Sequence, residues 1–325
     1  MSDARFFHYL MSLAITVVIC WGIWSALVWG QAGAPTVTSQ WIGDIYAKKT
    51  EIAKELGSPK LVIVAGSNGL FGFSCQQINA ALDYSCLNGA TQGGLSLSYL
   101  LWRAQQDFLA PGDTVLLPLE YELYILRSRL RPTFLDFLWS RDPGYFWTVS
   151  SLTQLEMLMG VSTERLKAGW RAKFKPKKLQ KDRYSSKTLN QFGDETNNVA
   201  DARRPEQIAR VENSEPFEFT GSESLHSNFR TLESFIQWCQ QHQIQILTTW
   251  PNILEGDTYA KPEAQRFFER VQAFYQDNNV PVIGSPRDGQ RPKKDLFDTR
   301  HHLNSMGQQA RTVQIIPQLK PYLKN

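Results

Sequence analysis

Residues 61–72 read LVIVAGSNGLFG, and this stretch decides the fold class. Its first part, Leu61 to Ala65, is an unbroken apolar run of the length of a buried strand. The Gly-Ser-Asn-Gly that follows is typical of a tight turn from a strand into a helix. Strands buried on both faces have this uniformly apolar character, so the stretch predicts a strand inside a parallel sheet.

Similar apolar runs recur along the chain and alternate with amphipathic stretches. The other predicted strands are Tyr84 to Leu87, Thr114 to Leu117, Ile244 to Thr249 and Val280 to Ile283. The predicted helices are Cys75 to Leu82, Leu95 to Leu109, Phe229 to Gln241, Pro262 to Asp277 and Ser305 to Leu319. The alternation predicts an α/β fold, a doubly wound, flavodoxin-like parallel sheet of about five strands between two helical layers.

An apolar segment precedes this domain. Residues 6–30 contain no Asp, Glu, Lys or Arg, and as a helix they would extend roughly 35 Å, enough to cross a bilayer. We predict an N-terminal transmembrane anchor over residues 1–32, with the N-terminus cytoplasmic and the main domain extracytoplasmic, on the periplasmic side. A cleaved signal peptide is the alternative, because the small residues Ala32, Gly33 and Ala34 follow the span.

Composition and rhythm divide the rest of the chain. We interpret residues 33–59 as a linker and residues 60–325 as one α/β domain, with 42% hydrophobic and 20% charged residues in the whole chain to supply a core and a surface. The stretch 120–225 interrupts the alternation. Its first part is rich in Trp, Phe and Leu and predicts a helical cap, and its polar second part predicts a mobile basic loop.

The positive charges are unevenly placed, although the net charge is only +4. One short stretch holds Arg165, Lys167, Arg171, Lys173, Lys175, Lys177, Lys178, Lys181, Arg183 and Lys187. A run of this kind is usually a solvated face, and its functional interpretation is attraction to anionic lipid or an acidic polymer. Nucleic acid is not expected as a partner, because no recognised binding motif accompanies the charge.

The four cysteines leave one disulfide at most in the domain. Cys20 lies in the apolar segment, and the other three show no C-x-x-C spacing typical of a metal site. If the domain is extracytoplasmic, Cys75 and Cys86 are the favoured pair, but three buried free thiols, Cys239 among them, are the more common finding for cysteines so scattered.

Polar residues follow the predicted strands at the edge where doubly wound sheets bind ligands. Gly66-Ser67-Asn68-Gly69 follows the first strand, and Asn88-Gly89-Ala90-Thr91-Gln92-Gly93 follows the second. Asp298-Thr299-Arg300-His301-His302 precedes the last helix. Together these stretches supply a hydroxyl nucleophile, backbone N–H donors and an Asp-His pair, which are the components of acyl-transfer chemistry.

These motifs resemble the SGNH (GDSL-like) hydrolase superfamily, in particular its membrane-anchored branch that serves O-acylation of cell-envelope polysaccharides. Asn88 and Gly93 fall at the spacing of the second motif of the superfamily, and His302 matches its last motif better than His301 does. The resemblance implies Ser67 as nucleophile, His302 as general base and Asp298 as the partner of the base.

Three departures from the superfamily pattern bear on this assignment. The register of the first motif places Asn68, which cannot attack an acyl carbon, at the nucleophile position, with Ser67 one residue earlier. Asp298 precedes His302 by four residues instead of three, which one helical turn would accommodate. Glu120 follows the third strand where an amide donor is expected, and Asn252 is the residue able to replace that donor.

The sequence therefore predicts a membrane-anchored serine acyltransferase or esterase acting on O-acyl groups of a cell-envelope polysaccharide or glycolipid. The predicted oxyanion and substrate-binding residues are Asn68, Asn88, Gly93, Glu120, Asn252 and His301. No metal or organic cofactor is expected, and the resemblance implies a multi-spanning membrane O-acyltransferase as partner. The alternative is a catalytically inactive scaffold or glycan-binding subunit of a membrane complex.

Overall fold

The computed structural model describes residues 3–34, 36–125, 131–175 and 184–323. They form two compact units. The first, which we call the helical unit, comprises Met1–Gly43 and Leu130–Arg183, and the second, the sheet unit, comprises Asp44–Arg129 and Tyr184–Asn325.

The sheet unit contains the predicted parallel sheet. Its strands are β1 (Leu61–Ile63), β2 (Cys86–Asn88), β3 (Thr114–Leu117), β4 (Gln245–Thr249) and β6 (Val282–Ile283), and a separate parallel pair consists of β5 (Ile253–Leu254) and β7 (Gln290–Arg291). The order β2-β1-β3-β4-β6 has every neighbouring pair parallel, which is the flavodoxin-like arrangement. The predicted α/β fold class is confirmed.

Thirteen α-helices are described. Those of the helical unit are α1 (Asp3–Gly30), α7 (Pro132–Arg141), α8 (Ser151–Met159) and α9 (Thr163–Phe174), and α2 (Val37–Leu56) begins there and continues into the sheet unit. Those of the sheet unit are α3 (Ser67–Gly72), α4 (Cys75–Leu82), α5 (Leu97–Arg103), α6 (Tyr121–Ile125), α10 (Pro205–Glu212), α11 (His226–Gln241), α12 (Pro262–Asp277) and α13 (Ser305–Leu319). The bounds of α4, α12 and α13 are those that the sequence predicts.

Side-chain alternation along the strands builds a core on each face of the sheet. Leu61, Ile63 and Leu116 belong to one buried cluster with residues of α4 and α13. The intervening Val62 and Val115 are fully buried and, because side chains alternate along a strand, face the opposite layer. In that second layer α11 contacts both α5 and β4. Burial on both faces explains why the strands appear in the sequence as continuous apolar runs.

Two stretches differ from what the sequence predicts. Residues 33–59, interpreted as a linker, contain the 20-residue helix α2. Residues 184–225, interpreted as part of a mobile loop, contain α10 and the buried Asp194, which accepts hydrogen bonds from the amides of Cys75 and Gln76 at the start of α4. Polar side chains hold this segment in place, so hydropathy gives no sign of it. Residues 176–183 of the predicted basic loop lie outside the described residues.

Cys75 and Cys86 form a disulfide, the pair expected for an extracytoplasmic domain, and the expectation of free thiols is wrong for these two. The disulfide joins the start of α4 to the first residue of β2. Cys239 is a buried free thiol. The edge strand β2 is therefore covalently tied to a helix of the layer that covers it.

Helix α1 contains the apolar segment Arg5–Gly30, which is long and apolar enough to span a membrane. A signal sequence near an N-terminus has the same length and composition. Large apolar side chains are exposed along the segment, Val17 and Val18 among them, as expected for a helix that contacts lipid.

Candidate active site

The turn after β1 presents a serine and buries the asparagine beside it. Ser67 is the first residue of α3 and is half-buried, whereas the Asn68 side chain is fully buried and its amide nitrogen donates to the carbonyl of Pro118 (2.9 Å). Asn68 stands at the nucleophile position of the sequence register, but its side chain is buried and hydrogen-bonded within the protein. Ser67 therefore supplies the reachable hydroxyl of this turn, Gly66–Gly72, which we call the serine turn.

The buried carboxyl of Glu120 braces the backbone of the serine turn. One carboxyl oxygen accepts from the Gly66 amide and the other from the Asn68 amide, both at 3.0 Å. The residue is buried, with 4% of its surface exposed. Burial raises the pKa of Glu120, although nearby His301 and the two amides act in the opposite direction. The carboxyl is thus a bracing group for the turn.

Two asparagines of the predicted binding set also brace this turn. The Asn252 amide nitrogen donates to the Asn68 carbonyl (3.3 Å), and that of Asn88 donates to the carbonyls of Gly69 (3.1 Å) and Phe73 (3.2 Å). Both asparagines are fully buried. Their contacts position the backbone around Ser67.

Close packing leaves no room for side chains at two glycines of the serine turn. A methyl group added at Gly72 would overlap the amide nitrogen of Asn252, and one added at Gly66 would overlap Glu120 and the backbone of Gly93. The backbone of Gly93 therefore lies directly against the serine turn. In the part of the chain that the structure describes, the amides of Ser67 and Gly93 donate no hydrogen bond, so neither N–H group is committed to a protein acceptor.

The second half of the site is a turn before α13. The amide of Phe297 donates to the His302 carbonyl (2.7 Å), which closes the segment Phe297–His302, here called the histidine turn. Within it the Nδ1 atom of His302 lies 2.7 Å from an oxygen of Asp298. The four-residue spacing therefore does bring the two side chains together. Asn304, which follows, caps α13 by accepting from the amides of Met306 and Gly307.

Asp298 orients the imidazole and is itself held by a tyrosine. The hydroxyl of Tyr184 donates to the second oxygen of Asp298 (2.9 Å). Asp298 is fully buried and His302 is 7% exposed. Because Nδ1 faces the carboxylate, the bond assigns the proton to Nδ1 and leaves Nε2 as the atom able to accept a proton.

Phe71 connects the two turns. Its ring stacks on the His302 imidazole, with ring centres 4.3 Å apart and planes 12° apart. Ser67 is one helical turn before Phe71 in α3 and so lies on the same face of that helix. Among the described residues, no hydrogen bond joins Ser67 to His302. The structure places serine and imidazole on neighbouring elements, and their catalytic pairing stays a prediction.

The neighbouring histidine has a different environment. The Nε2 atom of His301 lies 3.1 Å from a carboxylate oxygen of Glu122, which also accepts from Arg300 (2.9 Å). Burial opposes protonation of His301, but Glu122 and Glu120 outweigh it and raise its pKa. Burial likewise disfavours the Glu122 carboxylate, and His301 and Arg300 overcome this and lower its pKa to about 2. His301, Glu122 and Arg300 thus form a cluster of mutually stabilising ionisable side chains.

A cavity of about 440 Å³ opens beside the histidine turn. The residues that line it include Glu122, Arg210, Asp298, Thr299, Arg300 and His301. Among the described residues, no group of three or more His, Cys, Asp or Glu side chains is arranged to hold a metal ion. Of the predicted catalytic residues, Asp298 lines this cavity, and Ser67 and His302 are not among its lining residues.

Sequence reasoning missed four residues of this site. Tyr184 and Phe71 contact His302 or its partner, and Glu122 and Arg300 fix His301. For Glu122 and Arg300 the sequence does contain a signal of a site role, because both are charged residues close to predicted site residues. No signal pointed to Tyr184, which lies 114 residues before Asp298 in a polar stretch.

Comparisons with known proteins do not show a family for this chain. No family model matches the chain, and no curated protein matches it. Among solved structures, a crystal structure of an acetyl xylan esterase is similar, with 14% sequence identity, a TM-score of 0.40, and coverage of 82% of this chain and 100% of that chain. The assignment of the site therefore depends on the geometry of this chain.

Proposed function

We propose that this protein is a serine-dependent acyltransferase or esterase that acts on O-acyl groups of a cell-envelope polysaccharide or glycolipid. The observation that carries the proposal is the His302 imidazole, bonded to Asp298 at 2.7 Å and stacked on Phe71, one helical turn from Ser67. A buried carboxylate, an oriented imidazole and a nearby reachable hydroxyl are the components of a triad.

The proposed reaction has two steps. The Ser67 oxygen attacks the acyl carbonyl while Nε2 of His302 takes the hydroxyl proton, and that proton then passes to the leaving alcohol as the ester bond breaks. Water or an acceptor hydroxyl next attacks the acyl-serine and gives its proton to Nε2. That proton then passes to the Ser67 oxygen as the acyl-serine bond breaks, which releases Ser67 and restores the neutral imidazole. Asp298 keeps the imidazole oriented and stabilises its charged form throughout.

The oxyanion of each tetrahedral intermediate is assigned to the amides of Ser67 and Gly93. Glu120 supports this assignment, because it occupies the flanking amides of Gly66 and Asn68 and so fixes the turn. Each oxyanion donor of this kind typically contributes about 3–4 kcal/mol to catalysis.

We further propose that α1 is a retained anchor with its N-terminus in the cytoplasm, so that the sheet unit is extracytoplasmic. The Cys75–Cys86 disulfide supports this location, because disulfides persist in oxidising compartments. A multi-spanning membrane O-acyltransferase is the proposed source of acyl groups, and a glycan or glycolipid is the proposed acceptor.

The second candidate function is a catalytically inactive scaffold or glycan-binding subunit. It is favoured by the lack, among the described residues, of a hydrogen bond between Ser67 and His302, and by Asn68 at the nucleophile position of the register. Catalytic hydrogen bonds are often long in ligand-free enzymes, which is why we rank this candidate second.

The test is an esterase assay on the full chain in lipid nanodiscs. Wild type, Ser67→Ala and His302→Ala are compared on a chromogenic acetyl ester, with the exposed Ser222→Ala as matched control. The proposal expects turnover and fluorophosphonate labelling in wild type and in the control, with labelling lost in Ser67→Ala. Wild type that neither turns over ester nor reacts with fluorophosphonate would overturn it in favour of the scaffold.

A further inference from the structure

The last turns of α1 are packed into the helical unit. The indole nitrogen of Trp24 donates to the carbonyl of Leu158 at the end of α8 (2.9 Å), and the indole nitrogen of Trp170 in α9 donates to the carbonyl of Leu27 (3.0 Å). Trp29 stacks on Trp147 with ring centres 5.2 Å apart. These bonds fix the depth of α8 and α9 along the apolar helix.

The length of the apolar segment relates that depth to the thickness of a bilayer. The segment Arg5–Gly30 has 26 residues and is about 39 Å long as a helix, against a hydrocarbon thickness of about 30 Å. Trp24 lies six residues before Gly30, about 9 Å inside the end of the segment. A membrane that contains α1 therefore has its boundary between hydrocarbon and head groups close to the level of Trp24 and of the end of α8.

At this level α8 exposes an apolar face. Leu152, Leu155 and Met159 are 66%, 40% and 67% exposed, and their spacing of three and four residues places them on one side of the helix. Trp147, immediately before α8, is 66% exposed. We call these four residues the interfacial face. Single exposed apolar residues need no explanation, but these four lie on elements that contact the apolar helix α1, through Trp29 and Trp24.

Exposed cations lie on another helix of the helical unit. Lys167, Arg171 and Lys173 are exposed on α9, the helix that Trp170 joins to α1, whereas Arg165 is half-buried and pairs with Asp136 (2.8 Å). Lys and Arg beside exposed apolar and aromatic side chains are the composition of surfaces that lie on anionic membranes.

We propose that the helical unit is seated in the membrane surface, with the interfacial face in the boundary between head groups and acyl chains and the α9 cations against anionic head groups. The occupant of this face is thus the lipid of the same bilayer that holds α1. The inference rests on the proposed anchor and is independent of the proposed acyl chemistry.

Nitroxide accessibility in the full chain tests the inference. Single cysteines are introduced as Leu152→Cys, Met159→Cys or Val18→Cys in a background with Cys20→Ala and Cys239→Ala, and the protein is placed in nanodiscs of phosphatidylethanolamine and phosphatidylglycerol. Ser151→Cys is the matched control, because Ser151 is exposed on α8 and is turned about 100° from Leu152. Collisions with oxygen report lipid, and collisions with a water-soluble nickel chelate report water.

We expect labels at 152 and 159 to collide often with oxygen and rarely with the nickel chelate, as at a depth of about 5–10 Å in the bilayer. The label at 151 should collide often with the nickel chelate. The label at 18 should be deeper than both. If the label at 18 is deep but those at 152 and 159 are as open to nickel as the label at 151, the interfacial face is not in lipid and the inference fails alone. A label at 18 that is open to nickel would overturn the anchor and the inference together.

Discussion

The serine turn and the histidine turn are held in place by different forces. Hydrogen bonds and close packing fix the serine turn, through Glu120, Asn252 and the glycines at 66 and 72. Charged side chains fix the histidine turn: Asp298 holds His302, and Glu122 with Arg300 holds His301. Close packing is disrupted by added side-chain volume, whereas an ion pair is weakened when a change in pH neutralises one partner. The two halves of one site should therefore fail under different perturbations.

The largest expected effect separates the two adjacent histidines. His302→Ala should reduce kcat of the acetyl esterase at least about 10³-fold, because it removes the only described imidazole bonded to Asp298. His301→Ala should reduce kcat less than about tenfold, because Glu122 and Arg300 remain paired. Steady-state kinetics of both variants in nanodiscs measure the ratio, and equal losses would contradict the division of roles between the histidines.

The next prediction concerns added volume in the serine turn. Gly72→Ala should lower the free energy of unfolding by about 1–3 kcal/mol, because the new methyl group overlaps the Asn252 amide inside a packed region. Gly144→Ala is the control, since its methyl group would meet its nearest atom at an ordinary 3.7 Å. Urea denaturation measures both. If Gly72→Ala is as stable as Gly144→Ala, packing does not hold the serine turn.

A pH series probes the charge that holds the histidine turn. The pKa of Glu122 in the folded protein is about 2, below the ordinary value of 4.5, so its contribution to stability is present above about pH 4.5 and is lost as the pH falls towards 2. The stability advantage of wild type over Glu122→Gln should therefore shrink over that window, by at most about 1.4 kcal/mol per pH unit. The raised pKa of His301 makes the advantage decline again as the pH rises through that pKa.

Chemical denaturation at several pH values measures this advantage, with the exposed Glu233→Gln as control. An advantage of the same size at pH 3 and pH 6 would show that charge is not what Glu122 contributes.

The smallest expected effect is that of Tyr184→Phe. The change removes one hydrogen bond to Asp298 and leaves the ring that packs near Phe71, so kcat should fall only about three- to tenfold. Tyr322→Phe, at a position 36% exposed, is the control. A loss as large as that of His302→Ala would mean that Tyr184 acts in the reaction itself and not through Asp298.

Much of the fold could be predicted because burial in a parallel sheet is recorded locally. The runs at 61–65 and 115–117 are apolar without interruption, and the first is followed by the turn residues Gly66-Ser67-Asn68-Gly69. Helix α2 buries Trp41, Ile45 and Ile52. The sequence does not predict it, because a segment directly after an apolar span is typical of a linker.

Less of the candidate site could be predicted, since its supports come from distant parts of the chain. The Asp298–His302 contact follows from a spacing of four residues, which the sequence displays. The burial of Glu120 does not, because its partners are the backbone amides of a turn more than 50 residues away. Nearly every residue has the same backbone N–H group, so no sequence pattern indicates which of these groups will donate to a buried carboxyl.

The disulfide has a practical consequence for handling this protein. Strand β2 forms one edge of the five-stranded sheet, and Cys86 at its start is linked to Cys75. Sheet edges are templates for pairing between molecules when they come loose. A preparation made in a reducing cytosol would lack this link and should aggregate more readily than secreted material.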